Sequence, residues 1–316
     1  MSTSKRIKDF ITGNIIYIAF VAMLAALSIF TDSFLTTKNL INVMRQATVV
    51  GVLSMGMTFV IISGGIDLSV GSTMALASCV ASACCTGLNM PVFPAVIMGC
   101  IVGIVVGALN GFIISYLGVV AFIATLGMMY VIRGAALVFT GGRPISALPL
   151  EYTNIGKGYL GWIPVPVVIF FLVALACWFL LSKTQYGLYV YAIGGNEKAA
   201  LVSGLQVKRH KMITYVINGL TAAIAGIILS ARVAVGSPTA GETYELLAIT
   251  AVIVGGTSNM GGTGGIAASV IGVFIVTVVN NGMDLLGVSG YYQKIVMGVV
   301  VLLAVIIDRN NVNRNH

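Results

Sequence analysis

Long apolar runs alternate with short polar connections along nearly the whole chain, and many approach the roughly 20 residues that a helix needs to cross a bilayer core. Ten such runs are predicted as helices, over residues 14–30, 47–65, 69–88, 92–117, 119–140, 162–182, 212–231, 243–257, 266–282 and 291–307. The eighth is short for a complete crossing and reads as a broken or re-entrant helix, which burial in protein would tolerate. No soluble linker, low-complexity segment or internal repeat divides the series. The chain therefore reads as one all-α unit over 1–316, a polytopic membrane helix bundle of about ten transmembrane helices.

Composition agrees. Of 316 residues, 58% are hydrophobic and 8% charged, with a mean hydropathy of +1.04. A soluble domain carries about a quarter charged residues, so this surface suits lipid. The formal net charge of +8 raises nucleic acid as a partner. The basic residues fall in short connections, however, where the positive-inside rule expects them, and that reading excludes nucleic acid. With both termini cytoplasmic, the inner segments hold Lys5, Arg6, Lys8, Lys183, Lys198, Lys208, Arg209, Lys211, Arg309 and Arg314. The outer segments hold Lys38, Arg45, Arg143, Lys157 and Arg232. Ten against five supports that orientation.

Lys5, Arg6 and Lys8 also precede an apolar run in the manner of a signal peptide. More spans follow rather than a secreted domain, so an uncleaved first helix is predicted. Cys79, Cys84, Cys85, Cys100 and Cys177 lie in or at the ends of apolar spans without metal-ligand spacing, and read as packing residues. With His210 and His316 as the two histidines, neither a metal site nor a cofactor is expected.

Gly99, Gly103, Gly107 and Gly111 recur every fourth residue in the fourth run and so share one helical face. Such a face lets backbones approach closely, inside the bundle or at a subunit interface. Four further stretches place polar residues or glycine where lipid asks for neither. The run from Ser63 to Ser72 contains Gly64 and Gly65, suited to a tight reversal, then Asp67 and Ser69 before a helix. Asp67 either caps that helix or helps close the pathway. The longest inner connection, about 183–211, contains Gly194-Gly195-Asn196-Glu197 and ends a short segment at Gly204. Asn196 is a good N-cap, Glu197 suits a first turn and Gly204 a stop, so a helix over 196–203 is predicted. A helix that short needs a surface to lie against, its own bundle or another protein.

The glycine-rich run 255–265 invites a phosphate-loop reading, which fails because no lysine occurs between Lys211 and Lys294. A flexible inner turn is what remains. Asn280, Asn281 and Gly282 stand near the outer end of the ninth run, and Asn280 and Asn281 are grouped with Gly64, Gly65, Asp67 and Ser69 as candidates for the translocation pathway or its gate. Like Asn110 and Asn218, these asparagines are expected to face protein or a wet cavity. Arg133, well inside the fifth run, is expected to snorkel outward or to find a carboxylate.

Taken together, the text Gly64-Gly65-Ile66-Asp67-Leu68-Ser69-Val70-Gly71, Phe122-Ile123-Ala124-Thr125-Leu126, Gly187 through Gly204, and Asn280-Asn281-Gly282 followed by Tyr291-Tyr292-Gln293 resembles the permease subunits of ribose-type sugar ABC importers. The likeness runs from about Phe34 to Asp308, and the wider family includes branched-chain amino acid permeases. It implies a multi-pass protein of the bacterial cytoplasmic membrane that moves a monosaccharide inward and is not itself an enzyme. The implied partners are a cytoplasmic ABC ATP-binding subunit, an extracytoplasmic sugar-binding protein and a second permease copy, in surrounding membrane lipid. It also carries the ATPase-contacting role onto Gly194–Gly204. Three rivals are an amino acid permease, an ion-coupled secondary transporter and a membrane enzyme. The last two lack, respectively, paired ionisable residues at mid-membrane and a nucleophile–base or metal constellation.

Overall fold

The computed structural model describes residues 15–315 and is helical throughout apart from one small hairpin. Lys5, Arg6 and Lys8 lie outside the described residues. Among the described residues, ten helices overlap the ten predicted runs. They are α1 (Ile15–Phe30), α2 (Thr37–Ile62), α3 (Val70–Thr86), α4 (Val92–Ser115), α5 (Ala121–Thr140), α7 (Val165–Lys183), α10 (Val207–Val233), α11 (Tyr244–Val254), α12 (Ile266–Leu285) and α13 (Gly290–Asn315). Among the described residues, α2, α4, α5, α7, α10 and α12 are long and apolar enough to cross a membrane. The apolar parts of α1, α3, α11 and α13 are shorter.

Polar turns account for the differences from the predicted boundaries. Helix α2 begins ten residues before its apolar run because Asn39, Arg45 and Gln46 continue it, with Thr36 as N-cap accepting from the Asn39 N–H at 3.3 Å. Helix α10 likewise takes in Lys208, Arg209 and Lys211. Three short helices lie in the connections: α6 (Leu150–Lys157), α8 (Gln185–Gly195) and α9 (Glu197–Val202). Neither α6 nor α8 stands out in the hydropathy pattern, since α6 is too polar and α8 adjoins a polar loop. After α6, β1 (Tyr159–Leu160) pairs antiparallel with β2 (Ile163–Pro164), with Tyr159 opposite Pro164.

Helix α2 is buried from Ala47 to Ile62, and α10 packs against α2, α3 and α4. Helices α4, α5 and α7 bury only about a quarter to a third of their residues inside the chain. The most buried of the six long helices is also the least apolar of them. Its surroundings are protein, which accepts small and polar groups, whereas α4 and α7 meet the outside and are the most apolar. The four glycines of α4 form the seam with α10. A Cβ at Gly103 would meet Ala223 at 2.6 Å, one at Gly107 would meet Val216 Cα at 2.9 Å, and one at Gly111 would meet Met212 Cα at 2.8 Å. Gly99 faces Ala77 O of α3 and Ile227 of α10.

Candidate functional site

Helix α2 ends in a glycine stop. Gly64, at φ +78°, donates to Ile61 O at 2.9 Å, and Gly65 N–H donates to Val60 O at 2.9 Å, which satisfies two of the helix's last carbonyls. The chain then turns inward rather than out to solvent. Asp67 is 2% exposed. One carboxylate oxygen accepts from the Ser69 N–H at 2.8 Å and the Ser69 hydroxyl at 2.7 Å. The other accepts from Asn218 Nδ2 of α10 at 2.9 Å. Ser69 Oγ in turn accepts from Asn110 Nδ2 of α4 at 2.7 Å. The α2–α3 connection is thereby knotted to two helices. Gly65 lies so close to the Tyr215 hydroxyl that a Cβ there would collide with it.

Asp67 is not the N-cap residue of α3: that is Ser69, which makes no side-chain cap. One Asp67 oxygen closes the turn at the Ser69 N–H, and the other reaches across the bundle to Asn218. Asn110 and Asn218 make interhelical hydrogen bonds into this knot. Tyr215 is fully buried, and nothing in the apolar pattern of α10 distinguished it.

A second arrangement joins this turn to the 183–211 connection. The Ile62 carbonyl, in the last turn of α2, accepts from Gly262 N–H at 2.9 Å. Gly194, near the end of α8, is pressed against the same carbonyl, and a Cβ there would also come within 2.7 Å of Gly262 N. Tyr191 donates to Gly264 O at 2.8 Å. The run 255–265 is therefore not a free turn. With Gly261 and Gly262 at φ +85° and +74°, it is a fitted piece of backbone seated between α2 and α8. Gly195 differs from its neighbour: its φ is not positive and a Cβ would meet nothing within 4 Å. Of the two adjacent glycines, the steric constraint falls on Gly194.

Helix α9 follows with both ends closed by local chemistry. Asn196 Oδ1 accepts from Ala199 N–H at 2.9 Å. Gly204, at φ +84°, donates to Leu201 O, and Leu205 N–H donates to Ala200 O at 3.1 Å, a double-bonded glycine stop. Ala200 packs inward with Ile193, Val207 and Leu205, while Leu201 and Val202 face out. Glu197 pairs with Lys211 at 2.8 Å. Beside this pair, a cavity of about 490 Å³ opens between Gly64–Ile66, the α4–α5 connection, Lys208 and Lys211.

Asn281 is elsewhere. It exchanges two amide hydrogen bonds with Asn39, at 3.0 and 2.9 Å, and so ties α12 to the start of α2. Asn39 and Ser63 lie at opposite ends of a 26-residue helix, about 39 Å long, so Asn281 and Asp67 do not share a site. Asn280 is half-buried beside it. Arg133 neither reaches out of the bundle nor finds a carboxylate. Its Nη1 donates to Pro238 O at 2.6 Å and Ala240 O at 2.8 Å, in the connection before α11.

No solved structure gives a significant match to this chain. The ribose import permease protein RbsC of Bacillus subtilis (strain 168) is 48% identical, over 89% of this chain and 88% of its own. The D-allose transport system permease protein AlsC of Escherichia coli (strain K12) is 38% identical, over 92% and 88%. The xylose transport system permease protein XylH of the same strain is 35% identical, over 93% and 91%. The profile described as branched-chain amino acid transport system / permease component matches residues 39–305, and the chain belongs to that permease family.

Proposed function

We propose that this chain is the permease subunit of an ATP-driven ABC importer that carries a ribose-like monosaccharide inward across the bacterial cytoplasmic membrane. The relatives named for ribose, allose and xylose favour a sugar over a branched-chain amino acid. The observation that carries the mechanism is the contact of Gly194 with Ile62 O and Gly262. It joins the connection that bears α9 directly to the turn that bears Asp67. A force on α9 is passed to backbone, not to side chains that can rotate away. Leu201 and Val202 give α9 an apolar outer face on which a separate ATP-binding subunit can press. That subunit's unequal affinity for two permease states drives the change of access.

In this reading all ten apolar helices cross the membrane and both termini are cytoplasmic, following the ten-to-five distribution of Lys and Arg. Two copies of the chain flank the path, and a sugar-binding protein delivers substrate from outside.

Proteoliposomes containing permease, ATPase and binding protein test this. Ribose uptake is expected to require ATP. Gly194→Ala should uncouple hydrolysis from sugar, since overpacking there costs about 1–3 kcal/mol, whereas Gly195→Ala should behave as wild type. Equal behaviour of the two variants would remove the coupling route, and ribose uptake without the ATPase would remove the importer reading. A reporter after Lys198 should be cytoplasmic and one after Lys157 external.

A further inference from the structure

The connection between α10 and α11, residues 234–243, does not stay at the end of the bundle. Gly236 pairs with Ile145 in an isolated antiparallel bridge, 2.8 Å in both directions, beside the α5–α6 connection. There Gly236 faces Ser82 of α3, whose Cβ would lie 2.7 Å from an added methyl. Five residues later, Gly241 packs backbone to backbone on Gly71, near the other end of α3. From Ser82 to Gly71 is eleven helical residues, roughly 16 Å. The segment thus runs down alongside α3 for about half of a hydrocarbon core, which is roughly 30 Å thick. Arg133, within α5, holds it on the way through Pro238 O and Ala240 O.

At this depth the surface is polar. Thr239, Glu242 and Thr243 are exposed, and Arg133 and Glu245 are half-buried. Tyr130, one helical turn before Arg133 on the same face, is 69% exposed. Glu242 and Glu245 lie in the field of Arg133 without bonding it, and among the described residues the one ion pair is Lys211–Glu197. The Glu245 carboxylate lies against Gly71, where an added Cβ would come within 2.5 Å of its Oε2. Glu242 is exposed, with its carboxylate open. Lipid does not accept exposed charge or irregular backbone at this depth, but a water-filled path does.

We propose that the face formed by Tyr130, Arg133, Thr239, Glu242 and Glu245 lines the translocation path and touches the monosaccharide in transit. The inference rests on the importer reading and adds the contact residues. A sugar is neutral, edged with hydroxyl donors and faced with C–H groups. Carboxylates accept from the hydroxyls, free guanidinium N–H groups donate to ring and hydroxyl oxygens, and an aromatic ring receives the C–H face. Few and solvated contacts suit a passage that must also release.

The test uses proteoliposomes holding the complete complex, with ribose as probe. Thr239→Cys and Glu242→Cys are expected to react with a membrane-impermeant thiol reagent, and ribose with ATP should slow that reaction severalfold. Val138→Cys is the control. It is 84% exposed but five residues along α5, roughly 140° around the helix, and should react only with a lipid-soluble reagent. Glu242→Gln should lower ribose uptake about tenfold with assembly unchanged, the effect of one charge-assisted hydrogen bond. If the wild-type complex imports ribose but neither cysteine reacts, or ribose leaves both rates unchanged, the face is not the path. Cross-linking of two copies through Thr239→Cys, with no labelling, would make it a dry subunit contact and overturn the proposal. If the wild type imports no ribose, the importer reading fails separately, and labelling of Thr239→Cys against Val138→Cys still decides whether the face is wet.

Discussion

Asp67 and Arg133 are both charged residues set among apolar helices, yet they are held in opposite ways. Asp67 is buried, and its carboxylate accepts three hydrogen bonds, two from Ser69 and one from Asn218, 151 residues away. Arg133 is half-buried and bonds only two carbonyls of one connection. Removing the first strands donors in a dry interior. Removing the second frees a segment that already borders open space. The same class of residue thus serves as a knot in one place and as a clasp in the other. Burial of the charged group itself, more than its charge, separates the two.

The largest effect is expected from Asp67→Ala. It leaves the Ser69 N–H, the Ser69 hydroxyl and the Asn218 amide with a lost acceptor, and each buried orphan costs about 1–3 kcal/mol. Thermal unfolding in detergent should show a severe loss, and Asp67→Asn should fall between it and wild type. An Asp67→Ala protein as stable as wild type would abolish the contrast.

A smaller effect is expected from Arg133→Gln, where charge-assisted bonds worth about 1.5–3 kcal/mol are lost at a half-exposed site. Hydrogen exchange should rise in residues 236–243 and stay unchanged in 63–69. Faster exchange in both segments would mean that the two regions are one cooperative unit.

The smallest belongs to Glu197→Lys. A positive charge at the start of α9 costs about 0.3–1 kcal/mol through the helix dipole, and the exposed pair with Lys211 adds about 0–1 kcal/mol. Sugar-stimulated ATP hydrolysis should fall modestly while detergent stability holds. A loss of stability as large as that of Asp67→Ala would place α9 inside the knot rather than beside it.

Much of the fold is local and therefore readable along the chain. Each apolar run became a helix because the bilayer core rewards any stretch that satisfies its own backbone. The ends of α9 follow from Asn196 and Gly204, whose hydrogen bonds reach no further than a few residues. The glycine spacing of α4 marks a face by periodicity alone. The eighth run is the short one along the chain, and the helix that forms there, α11, has 11 residues.

What lay beyond the sequence is what depends on distant partners. Gly194 and Gly195 are adjacent and chemically identical, and only the carbonyl of Ile62 opposite the first makes one replaceable and the other not. Asn281 was grouped with Asp67 as a gate, but its partner Asn39, 242 residues away, belongs to the other end of α2. Nothing in the text of Pro238 and Ala240 shows that their carbonyls receive Arg133. Hydropathy and capping report how a residue meets its solvent and its near neighbours along the helix. Which polar group faces which across a bundle is settled when helices dock, because only then do distant backbones come within hydrogen-bonding and van der Waals range.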